Sequence, residues 1–416
     1  MPVPITDGLE LRGLRERDIE QTAELLTARG EPADAVDLRL VLDDPDAGPE
    51  CVAVVVHGDR VVSTATLLDE TVRLGGVDLP AGQVELVATD PDYQGRGLVR
   101  ELMAWAHGRS RERGHLAQVM IGIPYFYRQF GYSYAIPQHR WRALAKPVPR
   151  VDGVTVRRAT PADIPAMQAL QDAAQSSVQG GADLRMPHSP ACWRWLVARD
   201  GTHQLVACRG EQIVGTARLV PPDEDAQPND GARPDGDAAA LGELAATDAD
   251  AAFALLAYAG VDDLPVQERP GTVAGDAVEP LLADPSDIDP KHWWYYARIE
   301  DFGALLRHLE PLLVSRLPAD AKPEDLLISS FRSHVRVTIG PDGITAMRSG
   351  GPEQAPGGKG GCGVPPDALP GLVFGPYGAL GLEGRLPDCY LAGRRDLMAA
   401  LFPPVTADLL TFYLPT

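Results

Sequence analysis

The chain has 416 residues, and its 38 lysines and arginines against 58 aspartates and glutamates give a formal net charge of −20 at pH 7. This excess of acid argues against a nucleic-acid-binding protein, which needs a basic face. It suits a cationic substrate, although solubility alone also accounts for an acidic surface. The start has no signal-peptide pattern and no apolar run approaches the length of a membrane span, so we expect a cytoplasmic protein without a membrane partner. The five cysteines are scattered without a C-x-x-C pair, which favours reduced thiols and predicts no metal site.

In chain order, the first informative segment is a strand–turn–helix pattern. A β-type run, Val84–Ala88, leads into the turn Gln94–Gly97, and an amphipathic helical pattern with Leu98 and Leu102 follows. A glycine-rich turn that opens a helix presents unpaired N–H groups and the positive end of the helix dipole, so it can bind a pyrophosphate. The spacing is neither that of a Rossmann fingerprint nor that of a P-loop. The alternative is an ordinary turn whose glycines serve tight packing.

The second half of the chain repeats features of the first. The segment Val61–Ala65 (VVSTA) recurs as Ile213–Ala217 (IVGTA), and Glu85–Asp92 (ELVATDPD) recurs as Glu243–Asp250 (ELAATDAD). Collinear matches of this kind favour duplication. After Asp250 the second copy continues directly into a helical run and lacks the glycine turn. We therefore predict that the second copy is structural and has no pyrophosphate site.

These patterns predict an α/β (α+β) protein with domains at residues 1–149, 150–289 and 290–416. Two segments rich in proline, glycine and polar residues, Pro221–Ala238 and Gly350–Gly363, are predicted to be flexible loops. The aromatic run Trp293–Tyr296 is predicted to be an interdomain packing element. After it we expect one amphipathic helix over Phe302–Leu317 and a strand at Val335–Ile339 that ends in a turn.

Several of these segments resemble known families. Gln94–Gly97 resembles the Q/R-x-x-G-x-G/A turn with which GCN5-related N-acetyltransferases (GNATs) bind the pyrophosphate of acetyl-CoA. Ile123–Pro137 (IPYFYRQFGYSYAIP) resembles the Tyr-x-x-Phe-Gly-Tyr region of the Eis (enhanced intracellular survival) family, and Tyr296–Leu313 resembles the entry to that family's tail domain. The resemblance implies tandem GNAT folds, the second degenerate, a tail domain like sterol carrier protein 2 (SCP2-like), and a homo-oligomer, with a hexamer suggested.

The resemblance also implies roles for individual residues. Tyr127 is the expected general acid, and the carboxylate of the last residue, Thr416, is the expected general base, although this chain lacks the aromatic ending common in the family. Glu85 is a second candidate base, and the alternatives are a solvent-facing Glu85 and a Tyr127 that only packs. The expected acetyl-CoA-binding residues lie on the strand, on the turn with its helix, and after the next strand: Val87, Ala88, Thr89, Gln94, Gly95, Arg96, Gly97, Leu98, Val99, Arg100, Gly122 and Ile123.

The functional prediction is an acetyl-CoA-dependent N-acetyltransferase that needs no metal. Its acceptor is expected to be an amine of a small cationic metabolite or an aminoglycoside-like natural product, acetylated by direct attack in resistance or biosynthetic tailoring. The alternatives are a protein-lysine acetyltransferase and a non-catalytic sensor of acetyl-CoA or lipid. No motif marks the residues that would select the acceptor.

Overall fold

The computed structural model describes residues 3–5, 8–30, 32–177, 182–199, 202–220, 239–260, 263–285 and 294–411. The predicted loop Pro221–Ala238 lies outside these residues, as does Thr416. The strands are β1 Val3–Pro4, β2 Leu9–Gly13, β3 Val52–His57, β4 Arg60–Leu74, β5 Val77–Thr89, β6 Ala117–Met120, β7 Ser133–Pro137, β8 Trp141–Ala143, β9 Thr155–Arg158, β10 Leu184–Met186, β11 His203–Arg209, β12 Gln212–Val220, β13 Ala240–Ala246, β14 Pro265–Gln267, β15 Trp294–Arg298, β16 Glu324–Ser329, β17 His334–Gly340, β18 Gly343–Gly350, β19 Cys362–Gly363 and β20 Ala407–Leu409.

The helices are α1 Ile19–Arg29, α2 Pro32–Asp43, α3 Leu98–Glu112, α4 Ile164–Ser177, α5 Pro190–Ala198, α6 Ala249–Ala259, α7 Val273–Val278, α8 Phe302–His308, α9 Glu310–Ser315, α10 Leu369–Phe374, α11 Gly378–Glu383 and α12 Arg395–Leu401. Within the described part of the chain, no helix is long and apolar enough to cross a membrane.

The chain divides into two compact units that interleave along the sequence. The first takes the described parts of residues 1–25, 50–137 and 294–407, and the second takes those of 26–49, 138–293 and 408–416. The three predicted domain ranges stay a prediction, because compactness alone does not identify each domain.

The first unit contains a mixed sheet in the order β1-β2-β3-β4-β5-β6-β15-β7. Helix α3 packs on this sheet through Leu98, Leu102, Met103 and Ala106, all buried among strand residues. Strand β15 lies between β6 and β7 and is antiparallel to both. The predicted packing run therefore contains a sheet strand, since Trp294–Arg298 pairs on both sides and buries Tyr295 and Tyr296 completely.

The first unit also contains a four-stranded sheet in the order β18-β17-β16-β19. The predicted strand and turn are present, as β17 pairs with β18 through the turn before Gly343. The single helix predicted over Phe302–Leu317 is instead two helices, α8 and α9, that meet at Leu309. Pro311 explains the break, because it has no N–H to donate to the carbonyl of Arg307 and its ring clashes there. The segment predicted as the loop Gly350–Gly363 includes the paired strand β19, with Cys362 buried.

The second unit has a six-stranded sheet in the order β8-β14-β13-β12-β11-β9. Its core is aliphatic and includes Leu205, Leu241, Leu255 and Val266. Strand β13 passes directly into helix α6, whose N-cap is Asp248. The chain thus leaves the strand and enters the helix without a glycine turn.

Candidate active site

Strand β5 carries a bulge in the middle of the predicted site. Thr66 of β4 pairs with Glu85 and Thr64 pairs with Ala88, so Leu86 and Val87 together face one residue of β4. Leu86 accordingly has φ +51°, a left-handed conformation that is uncommon for a leucine. On its other side β5 pairs with β6 only over Ala81–Gln83. Among the described residues, no strand pairs with the β6-facing edge of β5 beyond Gln83, so this edge is open to a ligand along the stretch that contains the predicted residues Val87, Ala88 and Thr89.

The turn after β5 is built to open helix α3. The Asp90 carboxylate accepts a hydrogen bond from the Asp92 N–H at 2.9 Å, which fixes the start of the turn. Gly95 and Gly97 have φ +75° and +79°, and Gly97 is the N-cap of α3. A Cβ at either glycine would meet no atom within 4 Å, so the backbone conformation, not crowding, requires glycine here. The N–H groups of Leu98 and Val99 lie in the first turn of the helix, where they have no intrahelical acceptor.

Two arginines flank this turn. The Arg96 guanidinium lies 4.7 Å from the centroid of the Tyr93 ring and donates to the Asp92 carbonyl at 3.2 Å. The Arg100 guanidinium lies 5.8 Å from the centroid of the Phe130 ring. Both side chains are exposed. Their positive charges add to the helix dipole, so the turn has the electrostatics of an anion site.

Tyr127 lies in a short 3₁₀ helix, Phe126–Phe130, that follows β6. Its side chain is only 6% exposed, and its ring centroid lies 5.9 Å from that of Tyr296 and 6.3 Å from that of Tyr132. A Cβ on Gly122 would lie 2.3 Å from Tyr127 Cε2, so the tyrosine ring packs directly over a backbone that has no side chain. Gly122 therefore supports the tyrosine, whereas Ile123 beside it is largely exposed.

Burial first, and the Glu85 carboxylate second, raise the pKa of Tyr127 to about 12. The phenol is consequently protonated at neutral pH and can donate a proton. Tyr127 packs in one cluster with Val84 and Val87, the strand residues on either side of Glu85 and Leu86. Glu85 is 8% exposed and accepts a hydrogen bond from the Gln83 side-chain amide, which excludes the solvent-facing alternative for this residue.

Two aromatic residues near Tyr127 were not assigned from the sequence. Tyr296 of β15 stacks on Tyr134 with a 4.1 Å centroid separation, and its hydroxyl donates to the Ile123 carbonyl at 3.3 Å. The Tyr132 hydroxyl oxygen lies 3.2 Å from His107 Nε2. Burial and then the Arg298 charge lower the pKa of His107 to about 4, so this imidazole is neutral. In the sequence, Tyr296 was marked by the aromatic run and by the family resemblance of the segment that it begins. Neither placed it beside Tyr127, because β15 lies far from Tyr127 along the chain.

Thr416 lies outside the described residues, but the segment just before the chain end is well anchored in the second unit. The Asp408 carboxylate contacts Arg269 Nη2 at 2.6 Å and His139 Nε2 at 2.9 Å. The Thr411 carbonyl accepts from Arg218 Nη1 at 2.7 Å, and all of these residues except His139 are buried. Two buried arginines therefore hold residues 408–411.

The second unit has its own bulge, and its register differs from the sequence match. Between β12 and β13, Thr216 pairs with Ala245 and Arg218 with Gly242, so Glu243 and Leu244 face Ala217. Glu243 has φ +53°. It thus occupies the position that Leu86 has in the first unit, although the sequences match Glu243 with Glu85. The second unit does not reproduce the Glu85 side chain at the equivalent place.

The described residues contain no cluster of three or more histidine, cysteine, aspartate or glutamate side chains that could hold a metal ion. The predicted acid–base residues Tyr127 and Glu85 both lie in the first unit, where Tyr127 packs against β5, the strand that carries Glu85 and leads to the glycine turn.

Comparison with known proteins agrees with this geometry. Residues 10–135 match the family described as acetyltransferase (GNAT) domain. The sequence has no significant match among curated proteins. The fold is similar to that of a GCN5-related N-acetyltransferase from Kribbella flavida, at 19% identity over 98% of this chain and 99% of that one, with a TM-score of 0.67. It is also similar to a GCN5-related N-acetyltransferase from Anabaena variabilis, at 14% identity over 96% and 99% of the two chains, with a TM-score of 0.66.

Eis1 from Mycobacterium abscessus is similar as well, at 18% identity over 96% of this chain and 98% of that one, with a TM-score of 0.59. At these identities the solved structures establish the fold, and the match over residues 10–135 identifies the domain that contains the glycine turn, Glu85 and Tyr127. The chain therefore carries an acetyltransferase (GNAT) domain at residues 10–135, the part that contains these groups.

Proposed function

We propose that the protein transfers the acetyl group of acetyl-CoA to an amine of a small cationic molecule by direct attack. The observation that carries this proposal is the packing of Tyr127 against β5, the strand that carries Glu85, beside an edge that has no strand partner among the described residues, with the Gly95–Gly97 turn after the same strand. A site with a pyrophosphate cradle and a proton donor suits turnover better than passive sensing of acetyl-CoA.

Acetyl-CoA has a complementary partner in each part of this site. Its pyrophosphate would be held by N–H groups of Gly95 to Val99, with Gln94, Arg96 and Arg100 around the turn. The pantetheine arm and the thioester carbonyl would receive hydrogen bonds from the backbone of Val87 to Thr89. Gly122 and Ile123 would line the opposite side. The residues present fit this co-substrate, because the edge of β5 beyond Gln83 has no strand partner within the described chain.

The acid and base steps follow from the pKa of each group. Tyr127, with a pKa of about 12, would give its proton to the departing CoA thiolate. An alkylammonium with a pKa near 10.4 is neutral about once in 10³ molecules at pH 7, an obstacle of about 4–5 kcal/mol. A carboxylate can assist loss of the amine proton directly or through a water molecule, and water itself is the alternative base. The buried Glu85 is one candidate, and the Thr416 carboxylate, preceded by the anchored residues 408–411, is the other.

The acceptor is proposed to be a small amine-bearing metabolite or an aminoglycoside-like natural product. The net charge of −20 supports a cationic acceptor over nucleic acid. A protein lysine is the main rival acceptor, and it presents the same amine on a much larger body. Incubation with acetyl-CoA and a panel of polyamines, aminoglycosides and lysine peptides, with detection of released thiol, tests the proposal. If no amine in the panel raises thiol release above the rate of acetyl-CoA hydrolysis, the proposal is contradicted. If only the lysine peptides raise it, the protein-lysine alternative is favoured.

We further propose an Eis-like architecture of two GNAT-type units, the second degenerate, with an SCP2-like tail. Similarity to the solved structures over 96–98% of the chain supports this organisation. A cytoplasmic location is supported by five cysteines that are all free thiols. The homo-oligomer, with a hexamer suggested, follows from the family resemblance, and light scattering of the purified protein tests it.

A further inference from the structure

The second unit contains a line of three buried side chains that acetyl transfer does not use. Cys192 Sγ lies 3.2 Å from His188 Nδ1, and His188 Nε2 lies 2.9 Å from Glu243 Oε2. Each residue is at most 4% exposed. The imidazole is also covered by Trp193, whose ring meets it edge-on at a centroid distance of 4.8 Å. The thiol, the imidazole and the carboxylate thus have fixed positions.

The hydrogen bonds determine which nitrogen of His188 carries the proton. Burial alone would raise the pKa of Glu243. His188, by its charge when protonated and by its hydrogen bond, together with the Arg218 charge and a hydrogen bond from the Thr411 N–H, outweighs this effect, so that pKa lies below its usual range. An ionised carboxylate can only accept, hence His188 Nε2 must donate to Glu243. In the neutral imidazole Nδ1 is then an acceptor, directed at the Cys192 thiol. This is the arrangement in which a histidine removes the proton of a thiol and a carboxylate stabilises the imidazolium that forms.

The local backbone supports the thiolate as well. Helix α5 begins at Pro190 with Ser189 as its N-cap, and the Cys192 N–H donates to Ser189 Oγ at 3.1 Å. Cys192 therefore lies in the first turn, where the helix dipole favours negative charge. Beyond His188 and Glu243, the charged groups around this cluster are Arg218 and, next to it, the ion pair of Arg199 with Asp37 at 2.8 Å. Asp37 offsets the charge of Arg199. Arg218 lies 3.7 Å from Glu243 and also attracts a negative charge on Cys192.

We propose that Cys192, His188 and Glu243 form a peroxide-reactive thiol site, in which a small hydroperoxide oxidises Cys192 to a sulfenic acid. The Cys192 thiolate attacks one peroxide oxygen, so an S–O bond forms while the O–O bond breaks. The leaving hydroxide or alkoxide takes the proton that His188 Nδ1 received from the thiol, and water or an alcohol departs. Sulfur is oxidised and the peroxide is reduced, without any other reactant. The burial of Cys192 restricts the site to small uncharged oxidants.

The test compares cysteines within the same folded protein. Burial raises the pKa of Cys362 to about 12 and, as the largest cause, that of Cys389 to about 11, so these equally buried thiols are internal controls. The reduced full-length protein is treated with hydrogen peroxide in the presence of dimedone, and adducts at each cysteine are timed by peptide mass spectrometry. An ordinary thiol is only about 3% ionised at pH 7, so transfer of the thiol proton to His188 should make Cys192 at least about tenfold faster than Cys362. Equal rates under conditions where circular dichroism shows a folded protein would overturn the proposal.

A variant tests whether the histidine is responsible. His188→Asn keeps a polar group beside the thiol but cannot take its proton, so the Cys192 rate should fall at least about tenfold. His203→Asn is the matched control, because His203 belongs to the same unit and its ring contacts Arg158; it should leave the rate unchanged. A Cys192 rate that is the same in His188→Asn as in the natural protein would contradict the assignment.

The natural protein provides a second measurement that does not depend on the folding of a variant. Between pH 6 and 8 the Cys192 rate should rise less steeply than the Cys362 rate, because His188 takes the thiol proton within the site. The Cys362 rate should rise about tenfold per pH unit over the same range, as expected of a thiol far below its pKa. Parallel pH profiles for the two cysteines would also refute the proposal.

Discussion

Arg269 Nη2 lies 2.6 Å from Asp408 Oδ2, and both side chains are buried in the second unit. Burial alone would raise the pKa of Asp408, but Arg269 and His139 outweigh it and hold this pKa well below its usual range. The ion pair therefore attaches the segment around Asp408 to Arg269, which follows β14.

Replacing one partner of this pair should weaken the second unit. Arg269→Gln leaves the Asp408 carboxylate buried with only His139, and we expect a loss of about 3 kcal/mol, because a buried charge is left without its partner. Hydrogen exchange at β12 and β13 measures this locally. The double variant Arg269→Gln/Asp408→Asn should lose less, since no unpaired charge remains. Arg209→Gln, which breaks the exposed pair with Asp248, is the control and should change little. A loss as small as that of the control would show that the pair does not anchor the segment.

Removal of the Tyr127 hydroxyl should slow catalysis without disturbing the site. Tyr127→Phe keeps the aromatic packing, and loss of a general acid lowers kcat by about 10²–10⁴-fold. Acetyl-CoA affinity, measured by calorimetry, should stay nearly the same. Tyr132→Phe is the matched control, because it removes another buried phenol of the same cluster. Tyr132→Phe should keep the natural kcat. If Tyr127→Phe also keeps it while chemistry limits the rate, Tyr127 has only a packing role.

A negative side chain at the glycine turn should abolish acetyl-CoA binding. Gly97→Glu places bulk and charge at the N-terminus of α3, where the pyrophosphate is expected. Gly114→Glu is a close control, because Gly114 has a similar φ of +73° and open space around its Cβ position, but lies after the C-terminal end of α3. Calorimetry should show a single site per chain in the natural protein and in Gly114→Glu. Retained binding in Gly97→Glu, or two equivalent sites per chain, would be inconsistent with the assignment.

Two changes distinguish the candidate bases. Glu85→Gln removes the buried carboxylate, and an extension of the chain by two glycines moves the terminal carboxylate while keeping every side chain. Whichever group is the base, its variant should lower kcat and lose the acidic limb of the pH–rate profile, with acetyl-CoA affinity nearly unchanged. Normal kcat in both variants, with normal melting, would exclude both groups.

Glu70 gives a prediction for the pH dependence of stability. Burial, with a smaller effect of Asp69, raises the pKa of Glu70 from 4.5 to about 8. Above pH 4.5 the folded protein therefore keeps a proton on Glu70 that the unfolded chain loses. The contribution of Glu70 to the free energy of unfolding is complete below pH 4.5 and decreases as the pH rises to about 8. Glu70→Gln should remove this decrease and raise the unfolding free energy at pH 8, by at most about 4–5 kcal/mol. Urea denaturation at pH 5, 7 and 8 tests it, and a wild-type pH dependence in the variant would refute it.

The sequence by itself determined the local parts of the site. Gly95 and Gly97 were recognisable because a helix-opening turn with positive φ needs glycine, and this requirement is written within a few residues. The strand before the turn and helix α3 after it followed from the same short-range periodicity. The absence of this turn after Asp250 was visible for the same reason. These features depend on backbone conformation and hydrophobic spacing, which neighbouring residues specify.

Tertiary structure decided which distant residues meet. The sequence could not show that Tyr296 comes beside Tyr127, because the pairing of β15 between β6 and β7 depends on long-range packing. It also could not show that Glu85 is buried, since an alternating strand pattern fits a solvent-facing carboxylate equally well. The register of the second bulge is the clearest case. Matching letters set Glu243 against Glu85, but the backbone sets it at the place of Leu86, where His188 and Arg218 stabilise its charge inside the protein.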